Sequence, residues 1–344
     1  VILEIFEISK KQGIRSVDKI CHRMELGKDT YTLGKIRPEM EEELCRVLAD
    51  FVRIMEGYRV DAYRAMASSA ISEAANSLYV LGKIRQLTGL SVTVLSNSEQ
   101  RFLGYKALAA MEDNFNKIIE KGTAILDLDG GSFQISLFDK DALVTTQNIR
   151  MGSLRIRERL AGIQSETEHY EEMVEELIWN EVSSFKKMYL KDRKIENIML
   201  IGDVFTDSVY QNIEEKTTKI ISRENFNTWY EKIIRQSPME LAVKLGIPLE
   251  NASLMYPSAV IYKCLIDMMG AEHIWIPGVH MTRGIAYEYA EQMKLLKGGH
   301  NFENDILMAA KNIGKRYAVN RPHVQNLEMT ALAMFDATKK MHGM

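Results

Sequence analysis

Leu126-Asp127-Leu128-Asp129-Gly130-Gly131-Ser132 is the stretch on which the reading of this chain turns. Thr123-Ala124-Ile125 lead into it and Phe133-Gln134-Ile135-Ser136-Leu137-Phe138 follow. Each apolar run has the length of a buried strand, and the glycine pair between them marks a tight turn. A strand is therefore expected over 123–129 and a returning one over 132–138. Asp127 and Asp129, spaced i and i+2, should face one side of the first strand. Glycines, lacking a Cβ, let backbone N–H groups close in on an anion. A carboxylate at a strand end can hold Mg²⁺, often through water. A plain hairpin with solvated aspartates would use the same residues, and the local pattern does not separate the two.

Two stretches upstream supply partners for such a turn. In Ser96-Asn97-Ser98-Glu99 a strand gives way to a helix, and Glu99 could take a proton from an attacking water if the glycine turn lies opposite. The same S-x-x-E spacing is a capping box, with Ser96 as N-cap and Glu99 three residues on. One carboxylate cannot fill both roles at once, and capping is the simpler role. In Ala67-Ser68-Ser69-Ala70-Ile71-Ser72-Glu73-Ala74-Ala75-Asn76, small hydroxyl residues sit between a strand and a helix start, a plausible phosphate seat around Ser69. Simple N-capping by Ser69 or Ser72 competes with that role.

Working outward, strands are expected over 1–8 and 14–23 as an antiparallel pair, then a loop over 26–34. Pro38 opens a helix that Gly57 closes, with Leu44, Val47, Leu48, Phe51, Ile54 and Met55 at helical spacing. A strand over 61–67, a helix over 73–88, a strand over 91–95 and a helix over 97–111 follow. The polar stretch 112–122 reads as a boundary. Beyond the glycine turn come strands over 142–149, 197–201 and 273–276, with helices over 168–189, 238–245, 251–269 and 280–296. Residues 297–300 read as a second linker and 302–344 as helical throughout. The alternation gives an α/β protein divided as 1–115, 121–296 and 300–344.

Composition narrows the classes. A length of 344 residues suits about two domains, and 46% hydrophobic with 26% charged residues excludes disorder. With 44 basic and 47 acidic residues the net charge is -3, so no basic field advertises nucleic acid or an anionic membrane surface. The 3 cysteines, Cys21, Cys45 and Cys264, lie too far apart for a disulfide framework or a CxxC site and suit a reducing cytoplasm. No apolar run approaches the roughly 18 residues of a membrane span, and no signal peptide is visible. The 20 methionines read as core filler and the 7 histidines show no metal spacing. Val1 opens the chain inside a strand, which leads us to expect further residues upstream.

Taken in order, these stretches resemble the exopolyphosphatase/guanosine pentaphosphate phosphatase (Ppx/GppA) family of the actin-like ATPase superfamily. Its pattern A-T-S-A-x-R-x-A-x-N falls on Ala67 to Asn76, I-S-G-x-E-E-A on Leu95 to Arg101, D-I-G-G-G-S-T-E on Asp127 to Gln134, and M-G on Met151-Gly152. The resemblance implies two actin-like (ribonuclease H-like) lobes with an interlobe cleft. Lys311 to His342 resembles the opening of the family's helical HD-type domain, without the His-Asp pair that names it. By resemblance, Glu99 positions or activates water, Asp127 supports Mg²⁺, and Ser69 with the N–H groups of Gly130, Gly131 and Ser132 binds phosphate. A cytoplasmic homodimer acting on polyphosphate or on guanosine penta- or tetraphosphate is also implied. The family's D-x-G-S-N hairpin would precede Val1.

Departures from the pattern bear on activity. The family Arg falls on Ser72, the second Glu of E-E on Gln100, the first Gly of G-G-G on Asp129, and the Thr and Glu of G-S-T-E on Phe133 and Gln134. The later glycine-rich motif survives only as Ile201-Gly202-Asp203-Val204-Phe205-Thr206. Asp129, projecting from the same tip, is expected to replace in part the carboxylate lost at Gln134 and so to join Asp127 at the metal. Three function classes follow: a Mg²⁺-dependent phosphohydrolase, a sensor that binds polyphosphate or (p)ppGpp with little turnover, and an actin-like kinase or ATPase. The last lacks a persuasive glycine-rich adenosine motif.

Overall fold

The structure is a computed structural model that describes residues 1–111, 115–161, 170–191, 193–212, 219–296 and 300–343. Strands β1 (Ile2–Ser9) and β2 (Gly13–Cys21) pair antiparallel as a separate two-stranded sheet. Helices α1 (Leu26–Leu33) and α2 (Pro38–Tyr58) follow, then β3 (Ala65–Ala67), α3 (Ser69–Ser72), α4 (Ser77–Thr88) and β4 (Val92–Val94), with β3 and β4 parallel. Helices α5 (Asn97–Met111) and α6 (Phe115–Ile119) lead into β5 (Thr123–Leu128), β6 (Phe133–Asp139) and β7 (Ala142–Ile149). Next come α7 (Ser153–Leu160), α8 (Tyr170–Phe185) with a π-helical extension over Lys186–Leu190, β8 (Asn197–Ile201), α9 (Val204–Asn212) and β9 (Ile220–Ser222). The remainder is α10 (Arg223–Ile234), α11 (Pro238–Leu245), α12 (Leu249–Met269), β10 (His273–Trp275), α13 (Met281–Gln292), α14 (Phe302–Arg316), α15 (Arg321–Ala337) and α16 (Lys339–His342).

One six-stranded sheet, ordered β7-β6-β5-β8-β10-β9, organises the chain after residue 120. Its centre, β5-β8-β10, is parallel, while β6, β7 and β9 run antiparallel to their neighbours. Strict alternation sorts the side chains to two faces. Ala124, Leu126, Leu128, Ile135, Leu137, Ile198 and Leu200 join the core made with α7 to α12, whereas Ile125, Phe138, Met199 and Ile201 meet Tyr105, Leu108 and Phe115 of α5 and α6. Asp127 shares the parity of Ile125, so it lies on the α5 face. That one-residue phase places the carboxylate under the middle of α5, beside Gly104, instead of in the core shared with α7 to α12.

Four expectations need correction. Residues 26–34 form helix α1, because tertiary contacts override a weak local pattern. Buried Asp29 accepts from the backbone N and Nε of Arg37, both at 3.0 Å, and Gly34 closes the helix in the left-handed region. The helix expected over 73–88 begins only at Ser77, as α4, and a separate short helix, α3, covers Ser69–Ser72 before it. Asn76 holds the break, accepting from Ile36 N at 3.0 Å and donating to Ile36 O at 2.8 Å. The boundary over 112–122 contains α6, whose Phe115, Ile118 and Ile119 are buried at i, i+3, i+4 amid polar neighbours. Residues 112–114, like 297–299 of the second linker, lie outside the described residues. Helices α7, α9 and α10 were not expected at all. The C-terminal stretch breaks at 317–320; α14 packs on β7 through buried Phe302 and Asp305, while α15 has no buried residue.

Among the described residues no helix is long and apolar enough to cross a membrane. Helices α5 and α13 cross at Gly284, where a Cβ would fall 1.9 Å from the Leu103 carbonyl oxygen. Lys106 reinforces the crossing by pairing with Glu288 at 3.1 Å and Glu291 at 3.2 Å. Because backbone would have to yield, Gly284→Ala is expected to destabilise by about 3 kcal/mol, at the top of the overpacking range. Gly82→Ala in α4, where a Cβ meets nothing within 4 Å, should stabilise by about 0.5–1 kcal/mol. Denaturant midpoints of the two variants check both signs.

Candidate active site at the glycine turn

The turn after β5 closes with Asp129 N donating to Ser132 O at 2.9 Å. Helix α7 then takes the outward carbonyls. Ser153 N donates to Asp129 O at 3.3 Å, Arg155 N to Gly130 O at 2.9 Å, and Arg155 Nε to Gly131 O at 2.9 Å. Among the described residues the N–H groups of Gly130, Gly131 and Ser132 have no acceptor. Unpaired neighbouring amides of this kind form an anion nest. Neither glycine is in the left-handed region; clearance is what they supply. A Cβ on Gly131 would stand 2.2 Å from Tyr31 Oη and 2.9 Å from Ser69 Oγ. Those two oxygens are themselves 2.9 Å apart. Ser69 is thereby brought to the turn by tertiary packing, and the N-cap of α3 is Ser68, which makes no side-chain cap bond.

Three carboxylates collect behind the turn. Burial, then the charges of Asp129 and Asp203, push the Asp127 carboxyl up to about 7. Burial likewise pushes Asp203 up to about 7. Asp203 Oδ1 accepts from Thr206 N at 3.1 Å and Tyr262 OH at 3.3 Å, while its Oδ2 is buried with no partner. Gly202 makes this approach possible. Its φ of +106° suits glycine, and a Cβ there would meet Asp127 Oδ1 at 2.5 Å and Leu128 O at 2.6 Å. Gln134 stands directly opposite Asp127 in the β5–β6 register, only 3% exposed, with Oε1 unpartnered. Asn148 continues the row on β7, its Oδ1 also unpartnered.

Helix α5 faces this group from the other side. A Cβ on Gly104 would lie 3.5 Å from Asp127 Oδ2, and Gln100 Nε2 donates to Asp129 Oδ2 at 3.3 Å. The helix therefore meets the turn through Gln100. Glu99 is exposed, and its side chain is in the capping box: Ser96 N donates to Oε2 at 2.7 Å, and Glu99 N donates to Ser96 Oγ at 3.2 Å. These bonds hold its carboxyl below the ordinary range, so it is an ionised base.

Sequence reasoning missed two cations. Arg155 lies over the Tyr31 ring, its guanidinium carbon 4.2 Å from the centroid, and Nη2 donates to Glu73 Oε2 at 2.9 Å. Arg150 Nη2 reaches the same oxygen at 2.6 Å. Burial alone would raise the Glu73 carboxyl, but the two arginines hold it below the ordinary range. The signal was present in Arg150-Met151-Gly152-Ser153-Leu154-Arg155, two cations flanking a glycine just after a strand.

The donor set suits Mg²⁺ in one form only. Among the described residues no three His, Cys, Asp or Glu side chains make a closed metal cage. Mg²⁺ does not need one, since it keeps several waters and takes one or two carboxylates. Asp127, raised by burial and then by its like-charged neighbours, and standing opposite Gln134 with its orphaned Oε1, fits that mode.

The sequence model of the Ppx/GppA phosphatase family matches residues 5–293. Crystal structures give the same fold: an exopolyphosphatase from Cytophaga hutchinsonii superposes with a TM-score of 0.75 at 16% identity, covering 85% of this chain and 94% of that one. The Aquifex aeolicus member of the Ppx/GppA family gives 0.68 at 16% identity, with 85% and 94% covered. The fold is thus the actin-like α/β arrangement of those proteins. A curated relative, a bifunctional 3-dehydroquinate synthase/phosphatase of Fusobacterium nucleatum, is 20% identical over 283 residues. That match takes in 76% of this chain and only 40% of the relative's length.

Asp127 also sets a pH dependence. A carboxyl whose folded value is raised favours the fold at low pH, and that contribution is lost as pH climbs from 3.8 through about 7. The melting temperature of the metal-free protein should therefore fall between about pH 4 and about pH 7, and Asp127→Asn should remove part of the fall. The remaining slope belongs in part to Asp203. Equal slopes for the two proteins would contradict the raised carboxyl.

Proposed function

The chain belongs to the Ppx/GppA phosphatase family, and from that premise we propose that it releases the terminal phosphate of inorganic polyphosphate or of pppGpp. The observation that carries this reading is the row of unpaired N–H groups at Gly130, Gly131 and Ser132 beside three crowded carboxylates. Both substrates end in a phosphoanhydride, so both suit one seat.

In this reading the three amides and the Ser69 hydroxyl bind the terminal phosphate and neutralise charge that grows on its oxygens during displacement. Asp127, with Asp129 beside it, would hold Mg²⁺, which when bound offsets the charge of the phosphate oxygens. Glu99 accepts the proton of the attacking water. To do so its carboxylate leaves Ser96 N, a cap bond of the kind worth about 1 kcal/mol, which binding energy readily offsets. Gln100 keeps α5 on the turn through Asp129 meanwhile.

The sensor is the second reading, and one observation favours it: the Glu99 carboxylate is committed to its cap while Gln134 stands opposite Asp127. Phosphate release from long-chain polyphosphate separates the two. A hydrolase should lose on the order of 10²-fold or more in rate with Glu99→Ala, whereas tight binding without release in the parent protein marks a sensor. Mg²⁺ titration of the release rate tests the metal ligands. Asp129→Asn should raise the Mg²⁺ concentration needed for half-activation about tenfold, and an unchanged curve removes Asp129 from the metal.

A further inference from the structure

Glu73, Arg150 and Arg155 meet at the rim of the glycine turn, joining the loop after α3 to the end of β7 and the first turn of α7. Both guanidinium groups donate to the single oxygen Glu73 Oε2, at 2.6 Å from Arg150 and 2.9 Å from Arg155. Each gives one charge-assisted bond through Nη2, the strong kind by which arginines hold an oxyanion. Arg155 does not depend on Glu73 for its position. Its Nε is fixed to Gly131 O at 2.9 Å, and its plane rests on Tyr31, whose Oη touches Ser69 Oγ at 2.9 Å. The pair of cations is therefore built into the same turn whose amides are unpaired. Arg150 is largely solvent-exposed, with 66% of its side chain accessible, and so is open to a ligand arriving from outside.

We infer that Arg150 and Arg155 form a second phosphate seat beside the turn, that this seat takes a non-terminal phosphate of a chain substrate, and that Glu73 is its resident anion, displaced when the phosphate enters. An internal phosphate of such a chain carries a single formal charge, the same as the carboxylate it replaces. The phosphate thus matches the charge that the two guanidinium groups now face and offers two free oxygens in place of one shared one, while the displaced Glu73 carboxylate keeps its charge and turns to solvent. A lone phosphate held by the turn amides would not reach this seat, so the two arginines set a preference for chains over monophosphate and Glu73, as the competing occupant, moderates it. This inference rests on the phosphate-binding reading of the turn.

Calorimetric titration of the full chain with tripolyphosphate and, separately, with inorganic phosphate tests it. Glu73→Gln is expected to bind tripolyphosphate about tenfold more tightly than the parent while its affinity for inorganic phosphate stays within about twofold. Arg150→Ala should weaken tripolyphosphate binding about tenfold, and the double variant should lose the gain seen with Glu73→Gln. An unchanged tripolyphosphate affinity in Glu73→Gln, or a loss that accompanies a lower melting temperature, makes Glu73 a structural tether and overturns the inference. If Glu73→Gln does not fold, Arg150→Ala decides alone, and parental affinity for tripolyphosphate overturns the seat. Phosphate release is followed in parallel. Absent release with the tripolyphosphate shifts intact removes the hydrolase and keeps the seat; release that depends on Glu99 with no shifts removes the seat and keeps the hydrolase.

Discussion

A backbone turn can offer its N–H groups to a ligand only if its carbonyls are claimed elsewhere. Here α7 and the side chain of Arg155 claim the carbonyls of Asp129, Gly130 and Gly131 from one side, which leaves the amides on the other. The arrangement tolerates no side chain at Gly131, because Tyr31 and Ser69 already occupy that space. An element expected to be a loop, α1, therefore shapes the surroundings of the turn: it carries Tyr31 there, and Tyr31 contacts both Ser69 and Arg155. Buried Asp29 and its bonds to Arg37 hold α1 in place, so this pair acts on the turn through Tyr31.

Electrostatics divides the same turn in two. Behind it lie Asp127, Asp129 and Asp203; burial first, and then the charges of Asp129 and Asp203, raise the Asp127 carboxyl, and burial raises that of Asp203. In front lie Arg150 and Arg155. The glycine strip between them is where a phosphate, anionic at its oxygens and bridged to a cation, would satisfy both sides. Gln134 softens the rear group, since a glutamate at that position opposite Asp127 would add a further charge to the cluster.

What could be read from the sequence followed the strength of local periodicity. The β5–β6 hairpin, α2, α5 and β8 stand close to their expected bounds because each carries an unbroken apolar repeat or a capping signal. The motif residues were also legible, since the glycines, the aspartates and Glu99 are conspicuous in place. Other features depend on partners distant in the chain. Helix α1 has Gly27 and three threonine or tyrosine residues in its span and little intrinsic reason to be helical. Arg155 looks like one arginine among three in 153–160, and only its contact with Gly131 distinguishes it. Whether Glu99 caps or catalyses could not be decided from spacing, because a single four-residue pattern encodes both.

Strand β7 is the outer margin of the six-stranded sheet, and α14 lies along it. Asn312 Nδ2 donates to the carbonyls of Leu143 and Val144 at 3.4 and 3.2 Å, and Asp305, fully buried and bonded to His300 at 2.7 Å, accepts from Leu143 N at 3.3 Å. Side-chain amide and carboxylate thus do for this margin what a seventh strand would do. Unsealed, such a row of donors and acceptors is a template for recruiting strands from other chains and for aggregation. The helix therefore acts as a selvedge, finishing the sheet where it would otherwise keep growing.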